Sequence, residues 1–374
     1  MDNVFSFVKW RGDLELPGLP LSEEDQLVFA ILSYVNFSSC MDEGETLTLS
    51  DAARRMISSG YVEDDYRTLD DFKFLSIAAF QPRYSNLLIS DPVNRFSEGE
   101  ERQFFAITFH LPDNTKIISY RGTDMSLAGW KEDFNMSFED TVPAQADALS
   151  YLTMIAGKYD GKIVLTGHSK GGNLSIYSAL NAPGEIQGRI WRVFNNDGPG
   201  FNEESPTYGK LKEYKGQITT IVPSSSIIGM LLEHLPEYKV VESSSSGIFQ
   251  HDPYSWVFDA PGLKFKESLD KDSLISDRIL RGWIRSIGKK EREEFVDALF
   301  SIFGNAGIKT FRIGAADLFT KGPEFVRAYI ELPAKEKKIL YRTVKKLFQS
   351  AGSVLFDMRL EGGDRGQDSC PSPL

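Results

Sequence analysis

The sequence predicts an α/β chain, a mainly parallel sheet covered by helices on both faces, followed by a helical C-terminal subdomain. Three observations predict it. Runs rich in β-branched and aromatic residues alternate with helix-period runs from Gln103 to Phe258. One alternation, "KIVLTGHSKGGNLSIYSAL" (Lys162–Leu180), passes from an apolar run through glycines around one serine and straight into residues that suit a helix. From about Pro261 the β-rich runs stop, and apolar residues recur at i, i+3 and i+4 among mixed charges.

In chain order, "LSEEDQLVFAILSYVNF" (Leu21–Phe37) opens with Ser22 and three acids, the signature of a capped helix. "LSDAARRMISSG" (Leu49–Gly60) and "DDFKFLSIAAF" (Asp70–Phe80) carry the same period. Residues 1–100 therefore read as an N-terminal helical segment packing on the core. "QFFAITFHLPDNTKIISYRGT" (Gln103–Thr123) holds two β-rich runs joined by Pro-Asp-Asn, a hairpin signal. "PAQADALSYLTMIAGKY" (Pro143–Tyr159) reads as a helix, Lys162–Thr166 as a strand, and "RIWRVFNNDGPGF" (Arg189–Phe201) as a strand ending in a sharp turn. "GQITTIVPSSSIIGMLLEHL" (Gly216–Leu235) reads as a strand, a serine-rich loop and a helix, and Tyr238–Phe258 as the last strand or hairpin. The core thus spans 101–260. "DSLISDRILRGWIRSI", "KKEREEFVDALFSIFG" and "AKEKKILYRTVKKLFQSAG" make 261–358 a helical subdomain, and 359–374 is a polar tail expected to be disordered.

Composition narrows the classes of function. Hydrophobic residues at 41% and charged residues at 25% are ordinary for a globular chain. A net charge of −11 argues against a nucleic-acid partner, because phosphate binding wants a basic surface. Two cysteines, Cys40 and Cys370, make neither a disulfide framework nor a zinc cluster. The N-terminus lacks the pattern of a signal peptide, and no apolar run is long enough for a membrane span. The expectation is a cytoplasmic protein, not integral to a membrane, with its oligomeric state open.

Gly167-His168-Ser169-Lys170-Gly171 fits Gly-x-Ser-x-Gly, the nucleophile elbow. A serine hydroxyl is a weak nucleophile. It needs an accessible position, a base beside it, and donors for the oxyanion. A sharp strand-to-helix turn supplies the first, and the helix N-terminus adds positive potential and the Lys170 N–H. The bare pattern arises by chance in roughly one chain in ten of this length, so the strand before it and the helix after it carry the weight. The plainer reading is a glycine-rich βα turn; a phosphate loop is disfavoured because Gly-x-x-x-x-Gly-Lys-Ser/Thr is absent.

"GHSKGGNLSIYSA" resembles the elbow of lipase-like α/β hydrolases, and "IISYRGTDMSLAGWKEDF" resembles the oxyanion strand and loop of the class 3 (fungal-type) lipases. With "NNDGPGF" and "FQHDPYSW", the set resembles the Mbeg1-like family of bacterial lipase-related proteins, over roughly Gln103 to Phe258. The resemblance implies an α/β-hydrolase fold and supplies no substrate. It also implies that Thr123 gives one oxyanion N–H and its hydroxyl as a further donor, while Lys170 N–H gives the other. The plainer alternative is a strand-ending turn with Arg121 in a structural ion pair. Asp124 and Trp130 read as residues that shape the loop.

Four histidines compete as the base. His168 lies inside the elbow, where the turn aims its side chain away from the Ser169 hydroxyl. His110 precedes the serine, whereas this fold places the base last in chain order. His234 reads as a surface histidine on an amphipathic helix. His251 follows the last strand, opens the loop "HDPYSW" and matches the family position. For the acid, class 3 lipases place an aspartate after the strand that follows "VFNNDGPGF". The corresponding loop, "VPSSSIIG" (Val222–Gly229), has no carboxylate, and Ser226 stands in that place. Some related lipases carry the acid one strand earlier, where Asp197 sits; its plainer role is to brace the Gly-Pro-Gly turn.

The reading that follows is a serine hydrolase that cleaves an ester of a lipid or another acyl group, a small-molecule substrate, through Ser169, His251 and Asp197. Thr123 and Lys170 hold the oxyanion, and no metal or organic cofactor is required. Two alternatives stay open: a catalytically silent scaffold that binds a partner or lipid, and an acyltransferase or thioesterase on the same machinery.

Overall fold

The computed structural model describes residues 1–16, 20–214, 216–260, 262–310 and 321–363. Its strands are β1 (Thr46–Thr48), β2 (Leu88–Ser97), β3 (Arg102–His110), β4 (Lys116–Tyr120), β5 (Ile163–His168), β6 (Ile190–Asn196), β7 (Ile218–Pro223), β8 (Lys239–Val241), β9 (Phe258–Asp259), β10 (Gly262–Leu263) and β11 (Phe265–Lys266). Nine of these described strands form one sheet in the order β1-β2-β3-β4-β5-β6-β7-β8-β11. Strands β1 to β4 pair antiparallel, the hairpin expected across Pro-Asp-Asn among them. From β4 to β8 every pairing is parallel, and β11 returns antiparallel on β8.

Parallel strands need crossover helices, and those helices bury both faces of the sheet. The side chains of β3 divide accordingly. Phe105, Ile107 and Phe109 join a core with residues of the helices Glu23–Leu32, Leu49–Ser58 and Leu69–Ala78. Phe104 and Ala106, pointing the other way, join a second core with Pro143–Lys158 and Lys170–Asn181. All six residues of β5 are buried, as its apolar run predicts for a central strand. The helix Glu23–Leu32 is capped as expected, Ser22 and Asp25 exchanging hydrogen bonds in a capping box. The chain has the α/β-hydrolase fold: a mostly parallel sheet between helical layers, with a strand–serine–helix turn at the C-terminal end of β5.

Three expectations need correction. Residues 1–100 are not only helical, because β1 and β2 extend the main sheet from within them. No helix forms over Ile227–Leu235. There Leu232 takes φ 64, Gly229 N–H is drawn to Asp197, and Glu233 exchanges backbone hydrogen bonds with Phe201, so the backbone is satisfied elsewhere. The strands also do not stop at Pro261, since β10 and β11 follow it.

Contacts divide the chain into two compact units. The first, Met1–Asp270 with Thr310–Arg312, holds the sheet. The second, Lys271–Lys309 with Ile313–Leu374, includes the helices Lys271–Ser286, Lys289–Asn305, Gly322–Glu331 and Ala334–Gly363. Within it the Trp283 indole donates to Thr343 O at 2.9 Å and packs edge-on against Phe295. The tail expected at 359–374 starts inside the last helix, and its remainder, 364–374, lies outside the described residues. Among the described residues no helix is long and apolar enough to cross a membrane.

Candidate functional site

The parallel register puts the ends of β5 and β6 level, His168 opposite Asn196. Beyond that register both chains turn through the left-handed region, at Ser169 (φ 58, ψ −133) and at Asp197 (φ 52). Non-glycine residues rarely occupy it, and the turns are held by what surrounds them. Ser169 N–H donates to Asn196 O at 2.9 Å, and Asp197 N–H to Ile221 O at 2.8 Å. The Asn196 amide bonds Gly167 O and the Gln26 side chain, and Gln26 also accepts from the Thr166 hydroxyl, so the floor beneath the serine is a closed polar network. At Gly171 a Cβ would lie 2.1 Å from Tyr120 O, so only glycine lets the helix Lys170–Asn181 start this close to β4.

Ser169 is 8% exposed. The Arg121-Gly122-Thr123 stretch leaves β4 and lies against it: a side-chain carbon on Gly122 would sit 3.0 Å from Ser169 Cβ. Lys170 is the first residue of its helix, so its N–H has no intrahelical acceptor. The Lys170 side chain runs the other way into the interior, where its ammonium donates to Glu132 Oε2 and to Gln103 O, each at 2.8 Å. Glu132 in turn accepts from Gln103 N–H and Ala144 N–H, which satisfies a fully buried carboxylate. Next to it Asp133 accepts the Thr123 hydroxyl. Burial pushes the Asp133 carboxyl up to about 6, although Lys170 and the Thr123 hydroxyl pull it down. The Thr123 hydroxyl is therefore committed to Asp133, leaving its backbone N–H as the group it can offer. Arg121 does reach toward Asp124, at 4.0 Å, and lies over the Phe105 ring; burial pushes its guanidinium pKa down.

Asp197 and His251 meet. The Asp197 carboxylate is wholly buried, and its Oδ2 lies 2.6 Å from His251 Nδ1. Its Oδ1 accepts the Ser226 hydroxyl at 2.5 Å and Gly229 N–H at 3.1 Å. Ser226, in the loop that lacks a carboxylate, thus holds the carboxylate of the neighbouring strand. The His251 side chain is 23% exposed and sits on the short turn Gly247–His251, fixed by the Trp256 indole donating to Gln250 O at 2.9 Å. The hydrogen bonds of His251 run to Asp197 and His168, and none joins it to the Ser169 hydroxyl; catalytic hydrogen bonds are often long until substrate binds.

The other histidines are engaged elsewhere. His110 Nε2 lies 2.7 Å from the Ser90 hydroxyl, and burial pushes its pKa down to about 4. His234 Nδ1 donates to Leu235 O at 2.7 Å. His168 is buried, its Nδ1 2.8 Å from the Tyr34 hydroxyl and its Nε2 2.7 Å from His251 O. Its ring lies 4.6 Å from the His251 ring, and burial first, then the neighbouring His251 and Arg67, pushes its pKa well below the usual range.

Tyr34, Gln26, Glu132 and Asp133 were not singled out from the sequence. The adjacent acids in "GWKEDF" gave no sign that one would be buried beneath the lysine of the elbow. Gln26 comes from the helix Glu23–Leu32 and Tyr34 from the turn just after it, both more than a hundred residues upstream, and no local pattern ties them to the serine.

Comparison with known proteins places these features in context. No curated protein matches the chain. Among solved structures it is similar to M37 lipase, at 16% identity over 56% of this chain and 69% of that one, with a TM-score of 0.33. It is similar to a triacylglycerol lipase described as having a serine protease triad as its catalytic centre, at 14% identity over 66% and 86%, with a TM-score of 0.36. A triacylglycerol lipase from Penicillium expansum is similar at 11% identity over 62% and 81%, with a TM-score of 0.33. Such low scores mark distant likenesses. The sequence match is of another order: the model of the Mbeg1-like family covers residues 78–301, more than half of the 374. That span runs from before β2 through the serine turn, Asp197 and His251, and so the chain belongs to the Mbeg1-like family.

Proposed function

We propose that this chain is a serine hydrolase that cleaves a carboxylic ester, with Ser169 as nucleophile, His251 as general base and acid, and Asp197 as the third member. The observation that carries the reading is the 2.6 Å contact between His251 Nδ1 and the buried Asp197 carboxylate, beside a serine held at φ 58 at the head of a helix. A carboxylate only accepts, so Nδ1 carries the proton and Nε2 keeps its lone pair for the serine proton. Ser169 Oγ then attacks the ester carbonyl, while His251 Nε2 takes its proton. The Lys170 and Thr123 N–H groups hold the oxyanion. The imidazolium, steadied by Asp197, returns the proton to the leaving alcohol, and water attacks the acyl-serine with His251 again as base.

Purified chain exposed to a fluorophosphonate probe is expected to be labelled at Ser169 and to turn over a short p-nitrophenyl ester. Ser169→Ala should lose both with its fold retained. A wild-type chain that takes no label, or a mutant that turns over unchanged, refutes the reading. One second reading has an observation in its favour. The low exposure of Ser169 and the open Ser169–His251 contact suit a silent scaffold that binds without turning over. The same labelling separates the two.

A further inference from the structure

We infer that His168 and Tyr34 are positioning residues, which seat His251 for proton transfer by gripping its backbone carbonyl. The inference rests on the serine-hydrolase reading above.

Hydrogen-bond accounting fixes the direction of each contact. The His251 carbonyl can only accept, so His168 Nε2, 2.7 Å away, must donate to it. A fully buried imidazole stays neutral, so Nδ1 is then an acceptor, and the Tyr34 hydroxyl 2.8 Å away donates. The result is a directed chain: Tyr34 O–H to His168 Nδ1, and His168 Nε2–H to His251 O. The opposite tautomer would set two lone pairs against each other at the carbonyl and two protons against each other at Tyr34, unless the Tyr34 hydroxyl turned away.

The residues on either side of His251 are held too. Trp256 fixes Gln250 O, and Arg67 lies 3.5 Å from Asp252 while stacking over the Tyr34 ring at 4.1 Å. The His251 ring therefore has two independent anchors, its own carbonyl on His168 and its Nδ1 on Asp197. Two anchors set where Nε2 points, whereas Asp197 alone leaves the ring free to swing about one hydrogen bond. His168 is adjacent in sequence to Ser169, so the same turn that presents the nucleophile also locates the base. That gives a physical reason for a histidine at this elbow position.

The test uses the full-length chain, p-nitrophenyl ester kinetics, melting curves, and the downfield imidazole Nδ1–H resonance of His251, assigned by its loss in His251→Ala. His168→Leu removes donor and acceptor while keeping bulk. It should lower kcat on the order of 10²-fold at unchanged KM, the cost of a misplaced catalytic group, and broaden the His251 resonance. His168→Gln keeps a donor and an acceptor on one planar group, so it should recover most of the turnover and the resonance. Tyr34→Phe, which frees the tautomer but keeps the ring, should lower kcat by about tenfold, the worth of one good hydrogen bond. A folded His168→Leu with wild-type kcat overturns the inference. So does an equal loss in the leucine and glutamine variants, which would mean packing and not hydrogen bonding. If His168→Leu fails to fold, Tyr34→Phe with unchanged kcat and resonance overturns it alone. A wild-type chain that neither labels nor turns over removes the hydrolase reading instead, and the resonance comparison still decides whether His168 seats His251.

Discussion

Replacing Asp197 by Asn is the sharpest test of the acid, because the two oxygens of Asp197 have unequal partners. Oδ1 faces Gly229 N–H, which can only donate, and the Ser226 hydroxyl; Oδ2 faces His251 Nδ1. In Asp197→Asn the amide oxygen must stay with Gly229, since turning the amide over would set N–H against N–H at a fully buried side chain. The amide NH2 is then fixed toward His251 and donates to Nδ1. That forces the proton onto Nε2, where His251 cannot take the serine proton. The same change in a serine protease lowers turnover on the order of 10⁴-fold, which is about 5.4 kcal/mol of transition-state stabilisation. Stability should move far less. The Ser226, Gly229 and His251 contacts all survive with a neutral side chain, and asparagine tolerates the positive φ at this position at least as well as aspartate. The expected variant is folded, melts close to the wild type, and is inactive on a p-nitrophenyl ester. If Asp197 only braces its turn, turnover per folded molecule should stay near normal, and that result would refute the assignment.

Ser169→Ala is expected to abolish both labelling and turnover without a change in melting. Ser226→Ala removes a hydrogen bond to a buried carboxylate and should cost about 1.5–3 kcal/mol of stability, with a smaller loss of kcat than Asp197→Asn because Gly229 N–H still holds Oδ1; an unchanged melting curve would mean the Ser226–Asp197 bond is not formed in solution. Asp133 is lifted from 3.8 to about 6, first by burial, so the folded chain keeps a proton that the unfolded chain has already released, and stability falls as pH rises through that window. Asp133→Asn should therefore gain on the wild type in Tm between about pH 4 and pH 6, and a constant Tm difference across the window would refute the burial argument.

What was legible in the sequence is what local chemistry decides. The apolar run Lys162–Thr166, the glycines after it and the helical residues beyond them admit few backbones other than a strand, a tight turn and a helix, and β5, Ser169 and Lys170–Asn181 follow that order. The last-in-order histidine is the one that meets a buried aspartate. Errors came where long-range partners override local pattern. Ile227–Leu235 has a helical spacing of apolar residues, yet Asp197 and Phe201 claim its backbone donors and acceptors. The β2 segment "LISDPVNRFS" holds a proline and charged residues, which weaken any strand signal, and it is a strand because β3 pairs along most of its length. The buried Glu132–Lys170 pair had no signal at all, because burial of a charge depends on a partner that the sequence does not place.

The departure at the acid has a geometric explanation that no single stretch of sequence could give. β6 and β7 are neighbouring parallel strands, and their register sets Asn196 opposite Ile221, so the residue after one strand ends close to the loop after the other. A carboxylate meant to meet the same histidine can be supplied from either loop. Here it leaves β6 through a left-handed residue at Asp197, and the loop after β7 contributes two donors to it, the Ser226 hydroxyl and Gly229 N–H. Placing an aspartate at Ser226 as well would set two carboxylates within hydrogen-bond distance in a buried site, where like charges disfavour ionisation of both. Ser226 is thus the compatible partner of the Asp197 carboxylate. The missing carboxylate in "VPSSSIIG" therefore does not by itself argue for a silent site, because the position opposite His251 Nδ1 is filled from β6.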